Sequence, residues 1–331
     1  SPNAIAPVDF VRLYTELMLR FRTVDPVVSI ELDPRTLVDE WGCVVAGIGA
    51  THASMGVQTF APHLQEAIGR VQPRTMIERS TAILREAGIT SLNFDLMYGL
   101  PGQSQEDLAE TLAISTGMGA DRIALFGYAH VPHMVARQRR IDATALPGKE
   151  ARFAMAQQGY AQLTGAGYEP IGFDHFALPG DPLGQAARAG RLRRNFQGFT
   201  EDAAPILIGL GATAIGGFPG LLVQNEKNSG RYRMLLSQNV LPTALGVRRT
   251  EEDRQRARVI ESLLCQGHAA IPSDLAREAR SGLEPYLRLG LCAFDGGNLA
   301  IAPDGLPYAR SIAAQFDPYR QHSPRRFSSA I

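Results

Sequence analysis

The sequence predicts an α/β fold: strand-and-helix units that form a parallel sheet, open or curled into a barrel, followed by a mainly helical C-terminal region. Short apolar runs that end in polar loop residues recur every few tens of residues, and each is followed by a stretch of helical periodicity. Beyond residue 174 that alternation gives way to Gly-, Pro- and Arg-rich segments. The alternation is clearest at 91–103, SLNFDLMYGLPGQ, where Leu92, Phe94 and Leu96 suit a buried strand and Gly99-Leu100-Pro101-Gly102 stops it.

Taken in order, residues 7–22 place Phe10, Leu13, Tyr14, Leu17 and Phe21 on one helical stripe. A strand is expected at 27–32, ending in Glu31, and a helix from Pro34 to about Ala46. A weak strand at 53–57 ends at Gln58. Helices follow at 62–69 and 75–87, the second stopped by Gly88. Ser104 with Asp107 three residues later reads as a capping box for the helix after the 91–103 stretch. Strand 122–126 runs into Tyr128-Ala129-His130, a helix carries Phe153, Ala156, Tyr160 and Leu163, and 171–173 is one more strand. Residues 206–220, apolar but punctuated by glycine, suit an irregular segment draped over a site. Thr250 caps a helix that ends at Gly267, Ser273 begins another, and 291–301 folds back through Asp295-Gly296-Gly297-Asn298 as a hairpin. Two helices and a hairpin resemble a winged-helix module.

The chain of 331 residues is 45% hydrophobic, enough to bury a sizeable core. Its 33 basic and 33 acidic residues leave no net field for nucleic acid or an anionic membrane. No apolar run approaches a membrane span and no leader peptide is evident, so cytoplasmic localisation is expected. Cys43, Cys265 and Cys292 are too far apart for a local metal-ligand motif. His130 and His133 are three apart, but Pro132 breaks the helix that such a pair normally needs.

Glu31, Gln58, Asp95 and the Tyr128–His130 turn all fall where a strand hands over to a loop. In α/β folds that rim meets the ligand, and polar groups gathered there suit one with amine, carboxylate and ribose groups. Each alone reads equally as local capping. His175, beside Asp174, is a proton donor or a loop histidine held by its neighbour. Arg188, Arg191, Arg193 and Arg194 precede Asn195-Phe196-Gln197-Gly198-Phe199, a pattern that fits a large polycarboxylate with a flat ring, a solvated basic helix end, or, with Arg325 and Arg326, nucleic acid.

Over essentially its whole length the sequence resembles the oxygen-independent coproporphyrinogen III oxidases (coproporphyrinogen dehydrogenases) of the radical S-adenosylmethionine superfamily. The resemblance is carried by SIELDP at 29–34, SMGVQTF at 54–60, NFDLMYGLPGQ at 93–103, YAHVP at 128–132, GFDHFA at 172–177 and RNFQGF at 194–199. GLGATAI at 209–215, RVIESLLC at 258–265 and the terminal RRFSSAI continue it. It implies a partial radical-SAM (β/α) barrel over 1–165 lacking its first strands, a site-covering extension over 166–245 and a helical, winged-helix-like module over 246–331. Ser1-Pro2 resembles the end of the family's GGG(T/S)P loop, which implies that the three cysteines of the 4Fe-4S cluster lie upstream, that no residue here binds metal, and that this chain alone is inactive.

The resemblance further implies two molecules of S-adenosylmethionine, contacted at positions matching Ser1, Glu31, Gln58, Arg70, Asp95, Ala129 and Ile215. Glu31 would meet a methionine amino group, and Gln58 and Asp95 the second molecule. The implied reaction is oxidative decarboxylation of two propionates of coproporphyrinogen III to vinyl groups by a 5'-deoxyadenosyl radical, giving protoporphyrinogen IX. Phe196 and Gln197 match positions near the reactive centre, and Arg191, Arg193 and Arg194 are candidates for propionate recognition. The expected partners are the porphyrinogen and an unidentified electron donor and acceptor, with no nucleic acid and no membrane insertion, for a monomeric protein. A haem chaperone of the same superfamily and a DNA binder acting through the C-terminal module are the rival readings.

Overall fold

The structure is a computed structural model that describes residues 1–321, so Arg325, Arg326 and the terminal RRFSSAI lie outside the described residues. The chain divides into two compact units, Ser1–Arg188 and a second that begins at Ala189. The first contains α1 (Pro7–Phe21), β1 (Val28–Leu32), α2 (Asp39–Gly47), β2 (Ala50–Gln58), α3 (Pro62–Ala67), α4 (Arg74–Glu86), β3 (Ser91–Tyr98), α5 (Gln105–Gly117), β4 (Arg122–Gly127), α6 (Lys149–Gly165), β5 (Glu169–Ile171), β6 (His175–Ala177) and α7 (Pro182–Arg188).

Its six-stranded sheet runs β1-β2-β3-β4-β6-β5. The pairs β1/β2, β2/β3 and β3/β4 are parallel, as strand-helix alternation requires, but β4/β6 and β5/β6 are antiparallel. Of the strand expected at 171–173, Ile171 ends β5 and residues 172–173 enter the hairpin turn to β6, in which Gly172 takes φ of 64°. The parallel run stops after four strands.

One face of the sheet forms the core. Leu32, Met55, Val57, Leu92, Phe94, Leu96 and Ile123 are buried in a single cluster with Trp41, Ile77, Leu84, Leu108, Leu112 and Leu163 from the flanking helices. Each such side chain contributes about 2 kcal/mol by leaving water. The alternate positions point the other way because side chains along a strand alternate between faces. They include Glu31, Ser54, Gly56, Gln58, Asn93, Asp95 and Phe126, none of which is fully buried. Parallel sheets usually bury both faces under apolar side chains, so a polar second face marks a place for a ligand.

Several elements differ from expectation. The helix expected over 34–46 is a 3-10 turn, Pro34–Thr36, followed by α2, because Leu37 and Val38 are extended. The weak strand at 53–57 is a nine-residue strand between β1 and β3, where tertiary pairing overrides propensity. On α1, Phe10 stacks on Trp41 with ring centroids 5.2 Å apart and the Tyr14 hydroxyl donates to the Ile48 carbonyl at 3.0 Å. Leu13 and Phe21, expected on the same stripe, are exposed. The capping box at Ser104 and Asp107 is present.

The second unit opens with the short hairpin β7 (Arg193–Arg194) and β8 (Phe199–Thr200). The segment expected to be irregular over 206–220 instead enters a three-stranded antiparallel sheet of β9 (Ile215–Phe218), β10 (Leu221–Asn225) and β11 (Thr243–Arg248), with α8 (Ser229–Ser237) between the last two. Its glycines allow backbone to approach backbone: a Cβ on Gly209 would stand 2.5 Å from the Ile215 carbonyl oxygen. Then follow α9 (Glu251–Gln266), β12 (His268–Ala270), α10 (Ser273–Arg288), β13 (Cys292–Asp295) and β14 (Asn298–Ile301), the strands ordered β12-β14-β13. The Thr250–Asp253 capping box starts α9 and Gly267, at φ of 73°, ends it. Gly296 and Gly297, at φ of 53° and 88°, make the expected tight hairpin turn between β13 and β14. No helix among the described residues is long and apolar enough to cross a membrane.

Candidate active site

The polar face of the first unit's sheet brings Glu31, Gln58 and Asp95 together on three adjacent strands. Glu31 on β1 pairs with Ser54 on β2, and Ser54 with Asn93 on β3; one row further on, Gly56 pairs with Asp95, Asp95 with Ala124, and Ala124 with His175. Asp95 sits at the centre. Its Oδ1 accepts from Asn93 Nδ2 at 2.8 Å and its Oδ2 from the Ser54 hydroxyl at 3.4 Å, and Asn93 Nδ2 also donates to Ser54 Oγ at 2.9 Å. Burial pushes the Asp95 carboxyl above the ordinary carboxylate range. The Asn93 amide and the charge of His175 oppose that rise, and the Glu31 carboxylate adds to it. Thus Glu31, Asp95 and His175 act on one electrostatic field.

Gln58 ends β2 at φ of 70°, beyond a register shift that starts at Gly56. Gly56 leaves room there for two side-chain ends: a Cβ would meet Gln58 Nε2 at 2.7 Å and Arg70 Nη2 at 3.0 Å. Arg70 is fixed over the strand end, donating to the Gly56 carbonyl at 3.0 Å and to Gln72 Oε1 at 3.0 Å. Beneath this, Gln65 and Gln72 close the loop. Gln65 donates to the Thr59 and Gln72 carbonyls, and Gln72 to those of Gly56 and Val57. Arg35 holds Asp33, just past β1, down at about 2, with Arg70 adding a weaker attraction. Asn3, two residues after Ser1, is tied to the same end of β1: its amide donates to the Asp33 carbonyl at 2.7 Å and accepts from the Asp33 N–H at 3.0 Å.

After β4, Ala129 faces a hollow of about 120 Å³ lined by Gly99, Tyr128, His130, Leu146 and Arg152. Its carbonyl accepts from Gln138 Nε2 at 2.9 Å. His175 shares a 2.6 Å hydrogen bond with Asp174 and meets Phe126 edge-on at 5.6 Å. Among the described residues, no group of three or more His, Cys, Asp or Glu is arranged to hold a metal ion. That covers His130 and His133 as well as Cys43, Cys265 and Cys292, so the residues here do not fit an iron-sulfur cluster. They do fit a ligand rich in hydrogen-bond donors: Gln58 Oε1 and Asn93 Oδ1 are buried acceptors with no partner among the described residues. An ammonium, a ribose hydroxyl or an adenine amine supplies such donors beside two carboxylates.

The remaining candidates lie in the second unit. Phe196 and Gln197 form the tip of the β7–β8 hairpin, closed by a hydrogen bond from Asn195 N to the Gly198 carbonyl at 3.0 Å, and Phe196 is half exposed. Arg191 and Arg193 are exposed, while the Arg194 guanidinium stacks 5.1 Å from the centroid of Phe199. Ile215 opens β9. Ser54, Asn93, Asp33 and Gln72 escaped the sequence reading. Alternation did carry the first two, since Ser54, Gly56 and Gln58 on one strand and Asn93 and Asp95 on the next share a face.

The Radical SAM superfamily profile matches residues 8–114. The chain is 38% identical over 342 residues to the oxygen-independent coproporphyrinogen III oxidase of Bradyrhizobium diazoefficiens, an alignment spanning 100% of this chain and 76% of that protein. It is 33% identical to the Helicobacter pylori protein of the same name, over 100% of this chain and 75% of the relative. The solved coproporphyrinogen III oxidase (HemN) from Escherichia coli, a radical SAM enzyme, superposes with a TM-score of 0.90 at 33% identity, covering 96% of this chain and 76% of that one. The chain therefore belongs to the oxygen-independent coproporphyrinogen III oxidases of the radical SAM superfamily.

Proposed function

We propose that this protein carries out the oxidative decarboxylation of two propionate side chains of coproporphyrinogen III to vinyl groups. The observation that carries the reading is the gathering of Glu31, Gln58 and Asp95, from successive rows of three adjacent strands, on one polar sheet face in a chain of this family. The superfamily's S-adenosylmethionine and 4Fe-4S cluster, when bound, supply a carbon radical strong enough to take hydrogen from a propionate.

The chain's own residues bind and orient. Glu31 offers its carboxylate to a ligand ammonium. Asp95, steadied by Asn93 and Ser54, accepts from ribose hydroxyls, and the orphaned Gln58 and Asn93 oxygens take remaining donors. Arg70, held at the Gly56 carbonyl, supplies the opposite charge. Family likeness supports two molecules of S-adenosylmethionine contacted at Ser1, Glu31, Gln58, Arg70, Asp95, Ala129 and Ile215, with Gln58 and Asp95 meeting the second, and roles for Phe196 and Gln197 near the reactive centre. The likeness of α9, α10 and the β13–β14 hairpin to a winged helix is part of this proposal.

Anaerobic assay of the intact gene product after cluster reconstitution, with S-adenosylmethionine, a one-electron donor to start the cleavage and an acceptor for the substrate's remaining electron, is expected to convert coproporphyrinogen III to protoporphyrinogen IX with release of carbon dioxide. S-adenosylmethionine cleavage without any vinyl product would sink the proposal.

A further inference from the structure

The hollow after β4 is lined by a guanidinium and an imidazole and by no carboxylate. Its walls rise from the carboxyl ends of two adjacent parallel strands. Gly99 follows β3 directly, Tyr128 and His130 follow β4, and the Tyr128 N–H donates to the Tyr98 carbonyl at 2.8 Å. In α/β folds that end of the sheet is where ligands bind. Arg152, the fourth residue of α6, lies across Gly99, where a Cβ would stand 3.1 Å from Arg152 Nε and 3.2 Å from its Cγ. Tyr128 then fixes both polar groups: its carbonyl accepts from Arg152 Nη2 at 3.2 Å, and its hydroxyl shares a 3.3 Å hydrogen bond with His130 Nδ1.

That lining selects among ligand groups. A planar guanidinium carries five N–H donors in a fork that matches the two oxygens of a carboxylate, and the bond to the Tyr128 carbonyl orients the fork. Leu146 and Ala129 add apolar wall. At roughly 30 Å³ of liquid volume per water, a hollow of about 120 Å³ takes the space of about four waters. A carboxylate on two methylenes suits that space, and a nucleoside does not. The α-carboxylate of an amino acid brings an ammonium on the neighbouring carbon, which would stand beside Arg152 with no acidic group of the lining to receive it. A propionate brings no such cation.

We propose that this hollow is a propionate pocket, in which Arg152, with His130 beside it, holds one carboxylate arm of the porphyrinogen. The inference rests on the function proposed above and adds the point at which the substrate is anchored. Tyr98, at the edge of the hollow, lies three residues and so about 10 Å along β3 from Asp95. An arm anchored there sets the macrocycle at the rim and leaves the Asp95 row to the adenosyl ligand.

The test titrates the intact gene product after cluster reconstitution, and its variants R152Q, H130Q and K149Q, with three probes: coproporphyrin III, the tetramethyl ester of that porphyrin and S-adenosylmethionine. Lys149, exposed three residues before Arg152 on α6, controls for loss of one positive charge. R152Q is expected to weaken coproporphyrin III about tenfold, as loss of a charge-assisted hydrogen bond does. H130Q, which leaves the Arg152–Tyr128 bond in place, should weaken it about threefold. Both should leave the ester and S-adenosylmethionine unchanged, and K149Q should alter none of the three. Should R152Q fail to fold, H130Q carries the test alone. Loss on the ester as large as on the free acid, or loss confined to S-adenosylmethionine, overturns the propionate pocket. Parent binding of coproporphyrin III that the folded variants leave untouched, or that K149Q weakens equally, overturns the pocket alone. A parent protein that binds none of the probes overturns the functional reading and the pocket with it.

Discussion

Asn93 and Asp95 stand two residues apart on one face of β3, and the Asn93 amide holds the Asp95 carboxylate at 2.8 Å. That contact works against burial, which raises the Asp95 carboxyl. Because the folded state binds this proton more tightly than the unfolded chain, ionising Asp95 costs stability. The cost is absent below the ordinary carboxylate range and grows as pH rises toward the elevated value. Asp95→Asn should therefore raise the thermal midpoint at pH 7 by roughly 2–4 °C. The gain should vanish in strongly acidic solution, and S-adenosylmethionine binding should fall. Calorimetry across pH checks this; a midpoint that drops at neutral pH would contradict it.

Gly56→Ala should separate binding from folding. The added methyl group meets only the ends of two flexible side chains, Gln58 and Arg70, so they can move while the strand stays. Affinity for S-adenosylmethionine should fall about tenfold with little change in the urea midpoint. Equal losses in both would show that the backbone at the strand end had shifted.

Asp181→Ala should be the more damaging change for the first unit. The Asp181 side chain is fully buried, 3.3 Å from Arg122 Nε, and it accepts from the Ser91 hydroxyl and from the N–H of Leu183. Removing it strands the partly buried Arg122 charge, at a cost of about 3 kcal/mol. Urea unfolding monitored by circular dichroism measures the loss, and a change below about 1 kcal/mol would show that Arg122 finds another partner.

In the second unit, Gly209→Ala should disrupt the sheet that presents Ile215, because the new Cβ meets backbone rather than a movable side-chain end. Protection of the β9 and β10 amides from hydrogen exchange should fall while that of α9 and α10 persists. Uniform protection would show that the loop had yielded instead.

Glu31 and Gln58 were legible at the ends of their strands, whereas Asp95, expected at a strand end, lies inside β3, where alternation between Phe94 and Leu96 fixes its face. The partners that hold them were not. Ser54 and Asn93 look like any strand-surface polar pair until register sets them side by side. The antiparallel turn at Gly172 was missed because three residues of apolar pattern carry no direction. The sheet holding Ile215 was missed for a different reason: its glycines serve close approach between backbones, and without the partner strand they read as punctuation.

Gln65 and Gln72 lie buried under the end of β2, and their side-chain amides carry the loop that supports Gly56, Gln58 and Arg70. Primary amides neither gain nor lose protons near neutrality and do not exchange electrons with reductants. The scaffold beneath a centre assigned to one-electron chemistry is thus made of groups indifferent to acidity and to redox poise. Excursions in either should alter what the rim binds long before they alter its shape.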